Sequence, residues 1–476
     1  MATLLLTAAT MAALATAPAI PAFPGAEGAG ALSLGGRGGA VLRVSNLNDA
    51  GPGSLRAAVE ATGPRTIIFD IGGTIRLSSP LTVRDGRITI AGQTAPGGGI
   101  TLAGQPFRIH ADDVVVRYLR VRLGDEQGVE SDAFEITGGH RIMVDHVSAS
   151  WSVDETLSVG STYKNPDDGP ADITVQWSII AESLNRSLHA KGTHGYGSLL
   201  RGGLGSRMSF HHNLWAHHSA RMPRPGNTVM PPRDTVGAFY EFRSNVFYNW
   251  GGKASGYNAD TGPKASFVTY DFIDNSYLAG PNSKGSLAFE ESNPRASLFF
   301  AGNSMNGVIP ADPWSLVGGV EATRRSGPIP GMPPVAADPA PSALGRVLAM
   351  AGSARPRDAV DARIVATVLA AGGGLIDSQS QVGGWPNLPP GQPWTDSDGD
   401  GMPDAWEHIH GFDTKDKSDG AKDRNGDGYT NLEDWLNAVA VSAPHGIDTG
   451  IITTYSQKAE GSAVATPSAV TTWTGE

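Results

Sequence analysis

The sequence predicts a mainly β chain, a right-handed parallel β-helix followed by a C-terminal extension of short helices and acidic loop–helix units. Three observations carry this. First, Gly (62) and Pro (33) together make about 20% of the 476 residues, against roughly 12% in average usage, so the chain is rich in turns. Second, short β-branched or aromatic runs, each closed by a Gly, Asn, Ser or Pro break, begin near Thr66, Ile88, Val114, Ile142, Ile173, Met208, Tyr240, Val268 and Ser297, at intervals of 22, 26, 28, 31, 35, 32, 28 and 29 residues. Helical patterns do not fill the gaps, which argues against alternating β–α units. A near-regular period with variable inserts is the mark of stacked coils, each burying its apolar face against its neighbours. Right-handedness follows from the general rule for parallel crossovers. Third, Asn213, Asn245, Asn275 and Asn303 follow successive runs at one phase. Stacked asparagines can satisfy the amide groups of neighbouring turns; four unrelated turn residues are the plainer reading.

Taken in order, Met1 to Ala19 is an apolar, small-residue stretch ending in Ala-x-Ala candidates at Ala15–Ala17 and Ala17–Ala19. It reads as an export signal over 1–22, although it lacks an initial Lys or Arg; a buried N-terminal helix is the alternative. Residues 23–320 hold the coils. Within them Ser54 starts a short amphipathic segment through Glu60, expected to be a capped helix covering the open end of the solenoid. Residues 321–395 form a Pro/Gly-rich connection with two short helices, Ala343–Ala351 and Asp358–Ala371, and a stiff stretch at Gly383–Trp394. Residues 396–437 carry two acidic loops, and 438–476 form a loose Ser/Thr/Ala-rich tail.

The absence of cysteine excludes disulfides, thiolate catalysis and Cys-ligated zinc. Net charge is −11, of which residues 396–434 carry −8, so nucleic-acid binding is not expected. No apolar run after the N-terminus is long enough to span a bilayer. The expectation is an exported, soluble, monomeric protein.

The acidic loops are the most specific motif. In the first, Asp396, Asp398, Asp400, Asp404 and Glu407 occupy loop positions 1, 3, 5, 9 and 12, with Gly401 at position 6. The second repeats the pattern 27 residues later with Asp423, Asn425, Asp427, Asn431 and Asp434, and Gly428 at the turn. Hard oxygens at this spacing suit Ca²⁺, and the glycine permits the sharp bend. Prolines ahead of Asp396 forbid an entering helix, so the pair reads as dockerin-like loop–helix units, with partner binding left open. Acidic turns without metal are the bland reading.

Chemistry is expected elsewhere. Between Ser183 and Arg233 there is no Asp or Glu, while Arg186, Lys191, Arg201, Arg207, Arg221, Arg224 and Arg233 and six histidines fall there. In an acidic chain this is a local basic surface suited to a polyanion. Just upstream lie Asp125, Glu126, Glu130, Asp132, Asp145, Asp154 and Glu155; carboxylates beside a basic patch can hold a bridging cation. Solvated loop charges are the alternative. His211, His212, His217 and His218 sit in strand–turn phrases and read as structural rather than as bases.

The phrases FPGAEGAG, VSNLNDAGPGSLRAAV, RTIIFDIGGTI, ITIAGQTAPGGGI, IMVDHVSASWSVDETLSV and SFHHNLWAHHSARMPR, in this order, resemble bacterial pectate lyases of polysaccharide lyase family 1. The resemblance covers roughly residues 23–305 and implies a parallel β-helix that cleaves polygalacturonate, an acidic plant cell-wall polysaccharide, by Ca²⁺-assisted β-elimination. It further implies Arg221 as the base that removes the C5 proton. Arg224 would be the second arginine, at a shorter spacing than usual, and Lys191 the substrate-binding lysine. Asp132, Asp154 and Glu130 would be calcium-binding acids. The position four after Asp154, acidic in typical members, is Ser158, which implies a weaker site or a ligand shifted to Glu155, Asp125 or Glu126. Two rivals stay open: a non-catalytic uronan-binding solenoid, and a lyase or hydrolase for another acidic polysaccharide, the hydrolase needing paired acids around the bond.

Overall fold

The computed structural model describes residues 20–164, 169–319 and 323–441. Of the expected export signal over 1–22, residues 1–19 lie outside the described residues, as does most of the expected tail; Ala22 is described and packs with Phe23, Ala26, Val115 and Met143. Among those described, no helix is long and apolar enough to cross a membrane.

The chain winds through about ten turns of parallel β-solenoid. Three sheets of eleven, nine and six strands run along it, and a further three-stranded sheet follows the six-stranded one. The nine runs read from the sequence are nine strands of the eleven-stranded sheet, from Arg65–Phe69 and Ile88–Ala91 through Ala296–Ala301. Register explains why they recur. Ile88, Val114, Ile142, Ile173, Met208, Tyr240, Tyr270 and Leu298 stack as one column of partners. Two residues on in each strand a second column runs through Val144, Val175, Phe210, Phe242, Phe272 and Phe300, because alternate side chains share a face. Both columns are buried, and each such side chain is worth about 1.5–3 kcal/mol of burial. Phe210, Phe242 and Phe272 stack at 5.4 and 4.9 Å between centroids.

The asparagines form the expected ladder. Asn245 Oδ1 accepts from the backbone N–H (2.9 Å) and the Nδ2 (3.1 Å) of Asn213, and the pattern repeats from Asn275 to Asn245 and from Asn303 to Asn275. The ladder ends where Ser178 donates its backbone N–H to Asn213. Helix α1 (Leu55–Val59) starts at Ser54, whose hydroxyl accepts from Ala57 N–H, and buries Leu55, Ala58 and Val59.

After the solenoid the chain folds back along it. Helix α2 (Ala340–Met350) begins three residues earlier than expected, since Pro341 suits a first turn that lacks intrahelical donors. Helix α3 (Ala359–Leu369) is capped by Asp358. Val347, Ile364 and Val368 join the main core. Arg122, fully buried, is held by Asp358 and Asp361 at 2.5 and 2.8 Å, and Arg363 holds Glu182 at 2.5 Å. Gly72 and Gly98 donate their N–H groups to Pro390 and Pro389, so this stretch is fastened to the early coils. Helices α4 (Asp404–His410) and α5 (Asn431–Val441) follow the two acidic loops.

Candidate active site

Four successive turns bring the chemical groups to one phase, just before the strands of the six-stranded sheet. Asp132 precedes Phe134–Gly138, Asp154 and Glu155 precede Leu157–Val159, Tyr196 precedes Leu199–Gly202, and Arg221 precedes Arg224–Asn227. Parallel bridges Glu155↔Tyr196 and Tyr196↔Ala220 fix the register. Stacking therefore converts residues up to 89 positions apart into neighbours.

Arg221 has left-handed backbone geometry, at φ +61°, as do turn residues elsewhere in the solenoid such as Tyr118, His146, Trp177 and His212. Its side chain is 13% exposed and ion-paired with Glu155. The guanidinium lies over the Tyr196 ring, 4.1 Å from the centroid. Burial lowers the Arg221 pKa below the ordinary arginine value, the Arg224 charge lowers it further, and Tyr257 and Asp154 oppose both.

Asp132, Asp154 and Glu155 offer carboxylate oxygens within 4.8 Å of one another. Asp132 accepts from Glu155 N–H at 3.0 Å and from the Ser158 hydroxyl. Burial, with Glu135 next, holds the Asp132 carboxyl well above the ordinary aspartate value. Asp154 Oδ1 lies 2.7 Å from His194 Nε2, and Asp154 also groups with His189 and His194. The three carboxylates offer the hard oxygens that suit a divalent cation.

Glu130 stands at the rim, accepting from Ala190 N–H at 2.8 Å and lying 3.4 Å from His189 Nε2. Lys191 is exposed on the same loop and makes no ion pair among the described residues. Arg224 lies 3.6 Å from Asp260 and over the Tyr257 ring at 5.4 Å. Beside the cluster a groove of about 490 Å³, lined by Glu135, Ser158, Arg201 and Thr228 among others, crosses the six-stranded sheet.

Several expectations are corrected. The bases of the acid-free window do not form an unpaired stripe: Arg201 binds Asp260, Arg207 binds Asp172 at 2.7 Å, and Arg221 binds Glu155. Acids from other turns neutralise them, which a linear window cannot reveal. Asp145 is structural, buried between Arg117 at 2.9 Å and His146 at 2.8 Å. Asp125 and Glu126 face Gln379, Arg76 and Trp385; of the three alternative ligands, only Glu155 joins the cluster. The four histidines of the strand phrases are buried and structural. Burial pushes His217 down to about 4 and His218 to about 3. Sequence reasoning missed His189, His194, Tyr196 and Tyr257. The aromatic and imidazole residues of the 189–196 segment signal the first three, and nothing in the sequence singles out Tyr257.

In the C-terminal loops, positions 1, 3, 5 and 12 of the first converge, but position 9 does not. Asp404 accepts from the Ser397 N–H and hydroxyl at 2.8 and 2.7 Å, and Asn431 accepts from Arg424 N–H at 3.1 Å. In both loops this residue braces position 2, and in the first it is outside the groups of converging carboxylates. In the second loop Asp423, Asn425 and Asp427 are exposed, and Asn425 Nδ2 bridges Asp427 and Asp434 at 3.1 and 3.0 Å.

No family model matches the chain. Curated relatives do. The chain is 38% identical over 429 residues to "Probable pectate lyase C" of Aspergillus fumigatus, covering 87% of this chain and 93% of the relative. It is 36% identical over 423 residues to the protein of the same name from Emericella nidulans, covering 86% and 90%. Among solved structures, the cedar pollen allergen jun a 1 aligns with a TM-score of 0.50 at 17% identity, over 69% of this chain and 92% of that one, a likeness of fold. The motifs resemble bacterial members while these relatives are fungal, so the assignment that holds is the broader one: the chain belongs to the pectate lyase family.

Proposed function

We propose that the protein cleaves polygalacturonate by calcium-assisted β-elimination, with Arg221 as the base, and that it does so outside the cell after removal of an N-terminal export signal. The observation that carries this is the ion pair of the Arg221 guanidinium with Glu155, whose carboxylate groups with those of Asp132 and Asp154; Ser158, bonded to Asp132, lines the neighbouring groove.

In the proposed reaction the C5–H bond adjacent to the uronate carboxylate breaks and its proton passes to an Arg221 nitrogen. The electron pair forms the C4–C5 double bond, and the C4–O bond breaks toward the leaving chain. Arginine normally stays charged, which makes it an awkward base. Burial of Arg221 and the nearby charge of Arg224 both favour the neutral form. Glu155 opposes them, holding the guanidinium charged for as long as the pair is closed. Asp132, Asp154 and Glu155, with Glu130 at the rim, would hold calcium. When bound there, calcium would supply positive charge against the substrate carboxylate, where negative charge grows in the transition state. Lys191, exposed and without an ion pair among the described residues, would meet substrate carboxylates, and Arg224 offers a second cation. Ser158, in place of an acid, leaves the cluster one negative charge short. Both C-terminal loops, at Asp396, Asp398, Asp400 and Glu407 and at Asp423, Asn425, Asp427 and Asp434, are further proposed calcium sites.

Purified protein assayed on polygalacturonate with and without added Ca²⁺ tests the proposal. Near-ultraviolet absorbance from the unsaturated product is expected. New reducing ends without that absorbance would indicate a hydrolase, and binding with neither signal a non-catalytic uronan-binding solenoid; either sinks the reading.

A further inference from the structure

Around the first C-terminal loop the chain buries more carboxylates than it neutralises. Glu407 is 0% exposed, and both its oxygens lack a hydrogen-bond partner. Asp400 is 3% exposed with Oδ2 unpartnered, and Asp398 Oδ2 and Asp419 Oδ1 are unpartnered too. Asp396, Asp398 and Asp400 present oxygens within 4.8 Å of one another, as do Asp400, Glu407 and Asp419. Asp400 belongs to both sets, so the two sets adjoin one another through its carboxylate. Ionised carboxylates buried without partners cost several kcal/mol each.

The remaining oxygens are held in position by the loop backbone. Gly399 and Gly401 donate to Asp396 at 2.7 and 2.9 Å, and Met402 donates to Asp400 at 2.7 Å. Gly401 needs its φ of +101°, and a Cβ there would press on Val41 and Leu432 at 3.0 Å. Asp419 is not part of the loop motif. It arrives on the segment between the loops, which Asn431 Nδ2 and Leu432 N–H fasten through Asp419 O (2.7 Å) and Gly420 O (3.0 Å).

The same unit is docked on the first coils. Arg43 bridges Asp396 and Asp70, and Arg37 pairs with Glu433 at 2.9 Å. Met402, Leu432, Trp435 and Leu436 pack on Ile68 and Ala91. This face of α5 is covered by the chain itself, so it is not displayed for a separate protein in the manner of a dockerin.

We propose that Asp396, Asp398, Asp400, Glu407 and Asp419 form one Ca²⁺ site, completed by Asp419, and that the ion acts as a clamp holding residues 396–441 against the N-terminal coils. Five carboxylates supply hard oxygens of the kind Ca²⁺ collects at six to eight positions. The clamp rests on the first C-terminal calcium site proposed above, which it extends by Asp419, and is independent of the lyase reading.

The test uses the full chain stripped of metal, with CaCl₂ as the probe, read by calorimetric titration and by limited proteolysis within 396–441. Added Ca²⁺ should protect that segment. Asp419→Asn should weaken binding at this site about tenfold or more and remove the protection, whereas Asp404→Asn should stay within about threefold. Glu407→Gln provides a second loss-of-site variant, and circular dichroism of each variant checks that the solenoid persists. Asp132→Asn should keep the protection, which separates this site from the active-site cluster. Wild-type binding and protection in Asp419→Asn, equal protection in the metal-free protein, or Mg²⁺ acting as well as Ca²⁺ would each overturn the proposal.

Discussion

The hydroxyl of Ser158 donates to the carboxylate of Asp132, across one turn of the solenoid. The serine stands where the sequence resemblance implies an acid, and its hydrogen bond engages a carboxylate oxygen of the proposed cation cluster. Ser158→Asp is expected to lower the Ca²⁺ concentration giving half-maximal activity by about tenfold, through one added charge. Initial rates on polygalacturonate across a Ca²⁺ series measure this; an unchanged or higher requirement would count against the Asp132–Asp154–Glu155 site.

Arg221→Lys keeps a cation opposite Glu155 but removes the planar fork over Tyr196. The expected loss in kcat is about 10²–10⁴-fold, the usual contribution of a positioned base, with a thermal midpoint close to that of the parent. Full activity in this variant would remove Arg221 from the chemistry.

Lys191 is exposed and makes no ion pair among the described residues, so its loss should leave stability untouched. Lys191→Ala is expected to raise KM several-fold, about 1 kcal/mol of lost binding, with little change in kcat. A kcat effect larger than the KM effect would place it in the reaction instead.

Asn245 sits mid-ladder, accepting twice from Asn213 and donating to Phe210 O at 2.8 Å and to Asn275 Oδ1 at 3.0 Å. Asn245→Ala leaves several buried groups without partners and should cost about 2–4 kcal/mol, measured by denaturant unfolding. A cost near zero would mean the stacked asparagines do not stabilise the coils.

Glu291 is 0% exposed with Oε2 unpartnered, and burial pushes it up to about 8. Between the unfolded value near 4.5 and about 8 the folded state therefore holds a proton that the unfolded chain has lost. Stability falls as pH rises through that window. Glu291→Gln should flatten the decline and stabilise the protein at pH 8 by about 1–3 kcal/mol. A thermal midpoint with the same pH slope in both proteins would refute this.

The solenoid was legible in the chain because its physics is local and repetitive. A run such as Ile88–Ala91 must bury its alternate side chains, its equivalent recurs one turn later, and the asparagines at one phase announce the stacking. Arg221, Asp132 and Asp154 were legible through motifs that resemble a known family. What the linear order could not disclose was charge pairing across turns, because ion pairs form between residues far apart in sequence. It hid Asp260 beneath Arg201 and Arg224, and Glu155 against Arg221. It also hid Asp419 beside Glu407, and the docking of the acidic loops on Arg43 and Ile68. Sequence by itself determined the coil, its period and the kinds of groups each turn presents. Only the tertiary structure decided which of those groups meet, because register between turns, not spacing along the chain, sets the distance between charges.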